Sequence, residues 1–129
     1  AHCTLPATIA GMANIMEGGW AEIMAHNHNL AIKGRNILCE ALGITAPCPE
    51  EMIACIATLV LPQDGVDNGI PLHDPDPLHE ILRDNYGIQI PVWSWPSPQG
   101  RYIRISAQLY NSEEEYHYLA HALKQELLN

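Results

Sequence analysis

The longest periodic stretch of the chain, Trp20 to Gly43, limits the fold more than any other feature. Trp20, Ile23, Met24, Ala31, Leu38, Ala41 and Leu42 recur at three- and four-residue steps, while Glu22, His26, Asn29, Lys33, Asn36 and Glu40 hold the opposite face. This pattern predicts an amphipathic helix, ended by Gly43 at the position after its last turn, where glycine enters left-handed backbone without a Cβ penalty. Its apolar face needs a partner layer, and 129 residues leave room for one compact domain. Gly34 lies on the apolar stripe. A glycine there costs about 1 kcal/mol relative to alanine, so its place is best explained by another element packing close.

The rest of the chain supplies candidate layers. Leu5 to Met16 reads as a small-residue helix, interrupted by Gly18-Gly19. Ile53 to Leu61, IACIATLVL, is short and apolar on both faces and reads as a buried strand. Pro62 to Pro75 is a polar loop, after which Asp76 as N-cap and Pro77 at the first helical position open a helix with Leu78, Ile81, Leu82 and Tyr86 on one face, stopped by Gly87. Ile88 to Trp93 reads as a strand whose Pro91 lacks a ladder donor, which places it at a sheet edge or a bulge. Ser94 to Gly100 reads as a turn. Tyr102 to Ala107 alternates, with Ile103, Ile105 and Ala107 on one face and Tyr102, Arg104 and Ser106 on the other. Ser112 and Glu115 at capping-box spacing open a last helix with Tyr116, Leu119, Ala120, Leu123 and Leu127 as its buried stripe, and Glu113 to Glu115 suit its positive end. The order predicts an α+β fold, a small antiparallel or mixed sheet of about three strands covered by helices.

Charge and cysteine usage narrow the function classes. Six Lys and Arg against fifteen Asp and Glu give a net charge of −9, the wrong sign for grip on phosphate backbones or anionic membranes. Neither nucleic acid nor membrane is an expected partner. Cys3, Cys39, Cys48 and Cys55 match neither a disulfide scaffold nor a CxxC knuckle, which points to a reduced, cytoplasmic setting. The chain begins at Ala1 rather than Met, as a piece of something longer would.

Few motifs carry chemistry. His26 and His28 lie two apart, about 200° around a helix, and cannot share one ion. His117 and His121 have the four-residue spacing, but no third ligand lies nearby in sequence, so no metal site is expected. Cys39 late in a helix and Cys55 inside an apolar strand read as inert buried thiols. Cys48, between two prolines, is the exposed candidate. The only lysines are Lys33, on a polar helix face, and Lys124, in a last helical turn. Arg104 stands out: a guanidinium on the non-core face of a strand is either solvated or held to fork a carboxylate through two hydrogen bonds.

The run RISAQLYNSEEEYHYLAHAL, Arg104 to Leu123, resembles the C-terminal signature of class V aminotransferase-type, pyridoxal-phosphate-dependent enzymes. Gly18 to Gly43 and Asp76 to Pro96 are similar to the isopenicillin N epimerase-like branch. The resemblance implies that residues 1–129 form a single domain, the small C-terminal lobe of a longer fold-type I enzyme. It gives Arg104 the substrate α-carboxylate and leaves Tyr110, Asn111 and Ser112 as structural motif residues at the strand-to-helix corner, where Ser112 or Asn111 caps the helix and Tyr110 packs or hydrogen-bonds. It implies no catalytic residue within these 129. Pyridoxal 5'-phosphate is expected in the full-length enzyme, bound mainly by a large domain of the same chain, with none expected for these residues by themselves. The implied partners are an amino-acid-like substrate, that large domain and a second copy in a homodimer, and the implied chemistry is epimerisation, transamination or a related lyase step through an external aldimine. Related desulfurases carry a catalytic cysteine before the arginine strand; Ile88 to Tyr102 holds none, which disfavours desulfuration through that loop. The alternative is a freestanding, non-catalytic α+β binding or dimerisation module.

Overall fold

The computed structural model describes residues 4–62, 76–96 and 99–128. Their element order is α1 (Leu5–Ala13), α2 (Gly19–Leu42), a 3-10 turn at Glu50–Met52, β1 (Ile56–Val60), α3 (Pro77–Tyr86), β2 (Val92–Pro96), β3 (Gln99–Ser106) and α4 (Glu113–Leu127). The strands form one antiparallel sheet in the order β1-β3-β2. The α+β expectation of about three strands and covering helices therefore holds, with the helices on one face of the sheet.

That face is the core. Ala57 and Leu59 of β1, Val92 of β2 and Ile103 and Ile105 of β3 join Leu30, Ala31, Leu38 and Leu42 of α2 and Leu119, Ala120, Ala122 and Leu123 of α4 in one buried cluster. Each strand sends alternate residues inward. Gly34 faces the ring of Tyr116, and a Cβ at Gly34 would lie 2.9 Å from that ring. The close approach predicted for this glycine is thus the crossing of α2 and α4. Gly43 and Gly87 end α2 and α3 in left-handed backbone, at φ 65° and 67°. Asp76 caps α3 by accepting the Leu78 backbone N–H at 2.9 Å.

Several boundaries differ from the sequence reading, each for a local reason. Helix α1 stops at Ala13 rather than Met16, because the Asn14 amide donates to the Ala10 carbonyl at 2.8 Å and competes with the helical ladder. It buries no residue. Trp20 and Met24 fall on the expected stripe of α2 yet are 40% and 64% exposed, since a period sets a residue's direction and not whether another element stands opposite. Asn27 and Arg35 are buried on this helix instead. Strand β1 begins at Ile56, and it is buried on one face only: Ile56 and Val60 are exposed. Strand β2 begins after Pro91, at the sheet edge, and the expected Ser94–Gly100 turn is largely strand, since Ser94 to Pro96 lie in β2 and Gln99 and Gly100 in β3. Most of the Pro62–Pro75 loop lies outside the described residues.

Candidate functional site

The outer face of the sheet carries Ile56, Thr58 and Val60 from β1, Trp93 and Trp95 from β2, and Gly100, Tyr102, Arg104 and Ser106 from β3. Ile56, Val60 and Trp95 are 47%, 36% and 50% exposed, so among the described residues this face is uncovered. It is arranged in rows. Val60, Tyr102 and Trp93 stand opposite one another across the three strands, and Thr58 pairs with Arg104 in the next row. The third position of the Arg104 row falls to Pro91, just before β2: the Arg104 N–H donates to the Pro91 carbonyl at 3.3 Å, and Pro91 is exposed.

Arg104 is exposed, and its guanidinium makes no ion pair or hydrogen bond with the described residues. It is the one charged side chain of the outer face among them. The strand that presents it is central and pinned just beyond it. The Ala107 N–H donates to the Cys55 carbonyl at 2.7 Å, and the Tyr116 hydroxyl donates to the Ser106 carbonyl at 2.8 Å. A bare guanidinium on a restrained strand, with Thr58 across from it and Tyr102 and Ser106 beside it on the same face, can fork a carboxylate in two hydrogen bonds. The bond strengthens when the surrounding water is removed.

The three motif residues separate in role. The Asn111 carbonyl oxygen accepts the Gln108 N–H at 3.0 Å, and its amide donates to Glu115 at 2.9 Å. Glu115 also accepts the Ser112 backbone N–H at 3.3 Å, as a capping box requires. The Ser112 hydroxyl bonds Glu114 and draws that carboxyl below its usual range. Tyr110 neither packs nor hydrogen-bonds among the described residues: it is 82% exposed. It lies on the turn before α4, where no described residue covers its ring.

The lysines do not suit an amine nucleophile. Lys33 is exposed but paired with Glu113 at 2.7 Å, and that hydrogen bond and charge hold its ammonium above the ordinary lysine range. Lys124 is exposed on α4. Cys39, Cys48 and Cys55 are free and half-buried, and burial pushes the Cys39 thiol upward against the pull of Arg35. Cys48 is thus less open than its sequence context implies. His117 and His121 are exposed, and no cluster of three His, Cys, Asp or Glu residues that could hold a metal occurs among the described residues. His28 and His79 instead fasten loops, each through its Nδ1 to a backbone carbonyl, Ile53 at 2.9 Å and Ile90 at 2.6 Å.

Sequence reasoning missed two features. Arg101 points inward and grips the fully buried Asp76, its Nε donating to Oδ2 at 2.6 Å and its Nη2 to Oδ1. Starting β3 at Tyr102 hid this, because the inward alternation of Ile103 and Ile105 extends back to Arg101. The other is the stacking of Trp93 on Tyr102, with ring centroids 6.0 Å apart and planes at 21°, which required the β2–β3 register. A shallow cleft of about 260 Å³ between α3 and the end of α4 includes Arg101, but that cation is already engaged by Asp76.

No protein-family model matches the chain. It is similar to two plant proteins of Arabidopsis thaliana. A probable L-cysteine desulfhydrase, chloroplastic, is 32% identical over 123 residues, covering 90% of this chain and 25% of that protein. An L-cysteine desulfhydrase is 29% identical over 132 residues, covering 90% of this chain and 28% of that protein. The chain thus spans about a quarter of the length of these relatives. Their names give no support to the isopenicillin N epimerase branch, and one names the chloroplast where a cytoplasmic setting was expected. Among the described residues no helix is long and apolar enough to cross a membrane.

Proposed function

We propose that these residues are the substrate-carboxylate-binding C-terminal lobe of a longer pyridoxal-phosphate-dependent enzyme that acts on an amino acid. The observation that carries this reading is Arg104: an exposed guanidinium without a side-chain partner among the described residues, on the central strand of a sheet face that no described element covers. Similarity to two L-cysteine desulfhydrases, each about four times as long, supports a lyase step on a cysteine-like substrate over epimerisation or transamination. The absence of a cysteine from Ile88 to Tyr102 accords with sulfur leaving from the substrate itself rather than passing to an enzyme thiol.

The cofactor does not fit these residues. Lys33 is committed to Glu113, Lys124 sits at the exposed end of α4, and the described residues hold no other amine side chain. Pyridoxal phosphate is therefore assigned to the remainder of the longer polypeptide, whose packing on the bare face would exclude water from Arg104. The part played by this chain is orientation. Two parallel N–H···O bonds fix the carboxylate plane, and the strand restrained at Ser106 and Ala107 holds the backbone from which Arg104 reaches. Such positioning can supply several kcal/mol of a barrier, on the order of the effective-molarity gains of oriented groups. A second copy completing a homodimer and a reducing compartment belong to the same reading.

In the full-length enzyme, Arg104→Ala is expected to lower kcat/KM for the amino-acid substrate by about a hundredfold, the scale of a lost charge-assisted bond of 1.5–3 kcal/mol or slightly more. Cofactor loading, read from its absorbance, should be unchanged. Equal loss of activity and loading would make Arg104 structural. Full activity in the variant would favour the reading as a non-catalytic binding or dimerisation module that uses the same face.

A further inference from the structure

We propose that α1 and the first turns of α2 form a docking surface for the remainder of the longer polypeptide, through residues other than those of the sheet's outer face. This rests on the reading of the chain as a C-terminal lobe and adds an interface to it. Helix α1, LPATIAGMA, has no charged side chain and buries no residue. Its nine residues fall short of the ~12–15 at which an isolated helix becomes even marginal in water. A helix apolar all round belongs inside a larger body. Leu5 and Ile9 stand one turn apart on α1, as do Trp20 and Met24 on α2. With Ile15 between the helices, all of these are exposed, from 40% at Trp20 to 64% at Met24. A single apolar side chain at a surface means little, but this concentration within residues 5–24 marks a binding face.

The corner between the two helices is firmly built. The N–H groups of Asn14, Ile15 and Gly19 donate to the carbonyls of Gly11, Met12 and Met16 at 3.1, 3.1 and 3.0 Å, and Glu22 accepts the Gly18 N–H at 2.8 Å. Ile23 is fully buried at this end of α2 yet stands outside the main core cluster. The next turn fastens α2 to one end of the sheet, where Asn27 donates to the Gln108 side-chain oxygen at 2.9 Å and His28 bonds the Ile53 carbonyl. The exposed face is therefore preorganised, which lowers the ordering cost of docking.

Length, connectivity and charge select the occupant. The chain covers only 25% and 28% of two relatives, so most of a protein of that kind lies outside it. A C-terminal lobe joins that remainder through the residues ahead of Leu5, and a patch beside the junction meets it at an effective concentration on the order of millimolar. A second copy would instead bring another net charge of −9, with Glu17 and Glu22 exposed beside the patch on both partners, and like charge opposes that pairing. The matching surface is apolar with a neutral or basic rim.

The test uses the full-length, cofactor-loaded enzyme. A photo-crosslinking amino acid in place of Met24 should link to residues outside these 129 within one polypeptide; links between two copies, or none outside the 129, overturn the proposal. Backbone amides of residues 5–13 should exchange with deuterium at least about a hundredfold more slowly than in an unstructured peptide. Ile9→Glu or Met24→Glu should remove at least about tenfold of that protection, whereas Met52→Glu, at an exposed site outside the patch, should remove none. Exchange near the unstructured rate in the native enzyme, or an equal effect of all three substitutions, overturns the docking. Should the patch variants not fold, the exchange and crosslinks of the native sequence decide. Arg104→Ala keeps the two ideas apart, since it should leave α1 protected. If it also leaves kcat/KM intact, the carboxylate reading fails and the docking stands; if α1 exchanges freely while Arg104→Ala lowers kcat/KM, the docking alone fails.

Discussion

At the scale of single residues, the sequence marks where side chains are constrained better than it marks what constrains them. Gly34 is a case in point. Its position on an apolar stripe signals close packing, but only the fold names Tyr116 as the neighbour, 2.9 Å from where a Cβ would stand. The ring has little room to withdraw, since its hydroxyl holds the Ser106 carbonyl at 2.8 Å. Gly34→Ala gains about 1 kcal/mol of helix propensity and forces an overpacked contact costing about 1–3 kcal/mol. A net loss of up to roughly 2 kcal/mol in chemical denaturation is expected from that difference, and Tyr116→Leu in the same chain should relieve part of it. Tyr110 shows the converse. Its motif neighbours Asn111 and Ser112 are tied into the corner, yet Tyr110 itself is 82% exposed, because an aromatic residue on a turn is buried only if some other element happens to lie over it.

At the scale of elements, the stop of α2 and the limits of α3 and the start of α4 were legible, whereas the end of α1 and the strand limits were not. Asp76, Pro77 and Gly87 delimit α3 through local chemistry that involves only its own turns, as do Ser112 and Glu115 for α4. Strand ends depend on partners far along the chain: β3 begins at Gln99 because β2 pairs with it through Pro96. That extension brings Arg101 inward to Asp76, which thereby both caps α3 and anchors β3. Asp76→Ala removes a cap worth about 1 kcal/mol and takes one carboxylate from the guanidinium of Arg101, only 15% exposed, a change that costs up to about 3–5 kcal/mol. A stability loss near the upper range is expected from equilibrium unfolding. Asp76→Asn should retain the cap and lose less, and a double substitution with Arg101→Leu should fall well short of the sum of the singles.

At the scale of the whole molecule, the described helices cover one face of the sheet and, among the described residues, leave the other, with Arg104, uncovered. With Lys33 paired to Glu113 and Lys124 exposed on α4, the 129-residue chain mixed with pyridoxal phosphate is expected to give no stable, saturable Schiff-base absorbance. A stoichiometric adduct at either lysine would contradict the assignment of the cofactor to the rest of a longer protein. The α+β class, the capped helices, the inward and outward faces of β3 and the lone position of Arg104 on its outer face were set by the sequence alone, because each follows from periodicity or from contacts within a few residues. The strand order β1-β3-β2, the stacking of Trp93 on Tyr102, the Asp76–Arg101 pair and the bareness of the outer face were decided only by the tertiary structure. Each joins residues distant in the chain, and no local pattern encodes which strand lies beside which or what stands opposite a given face.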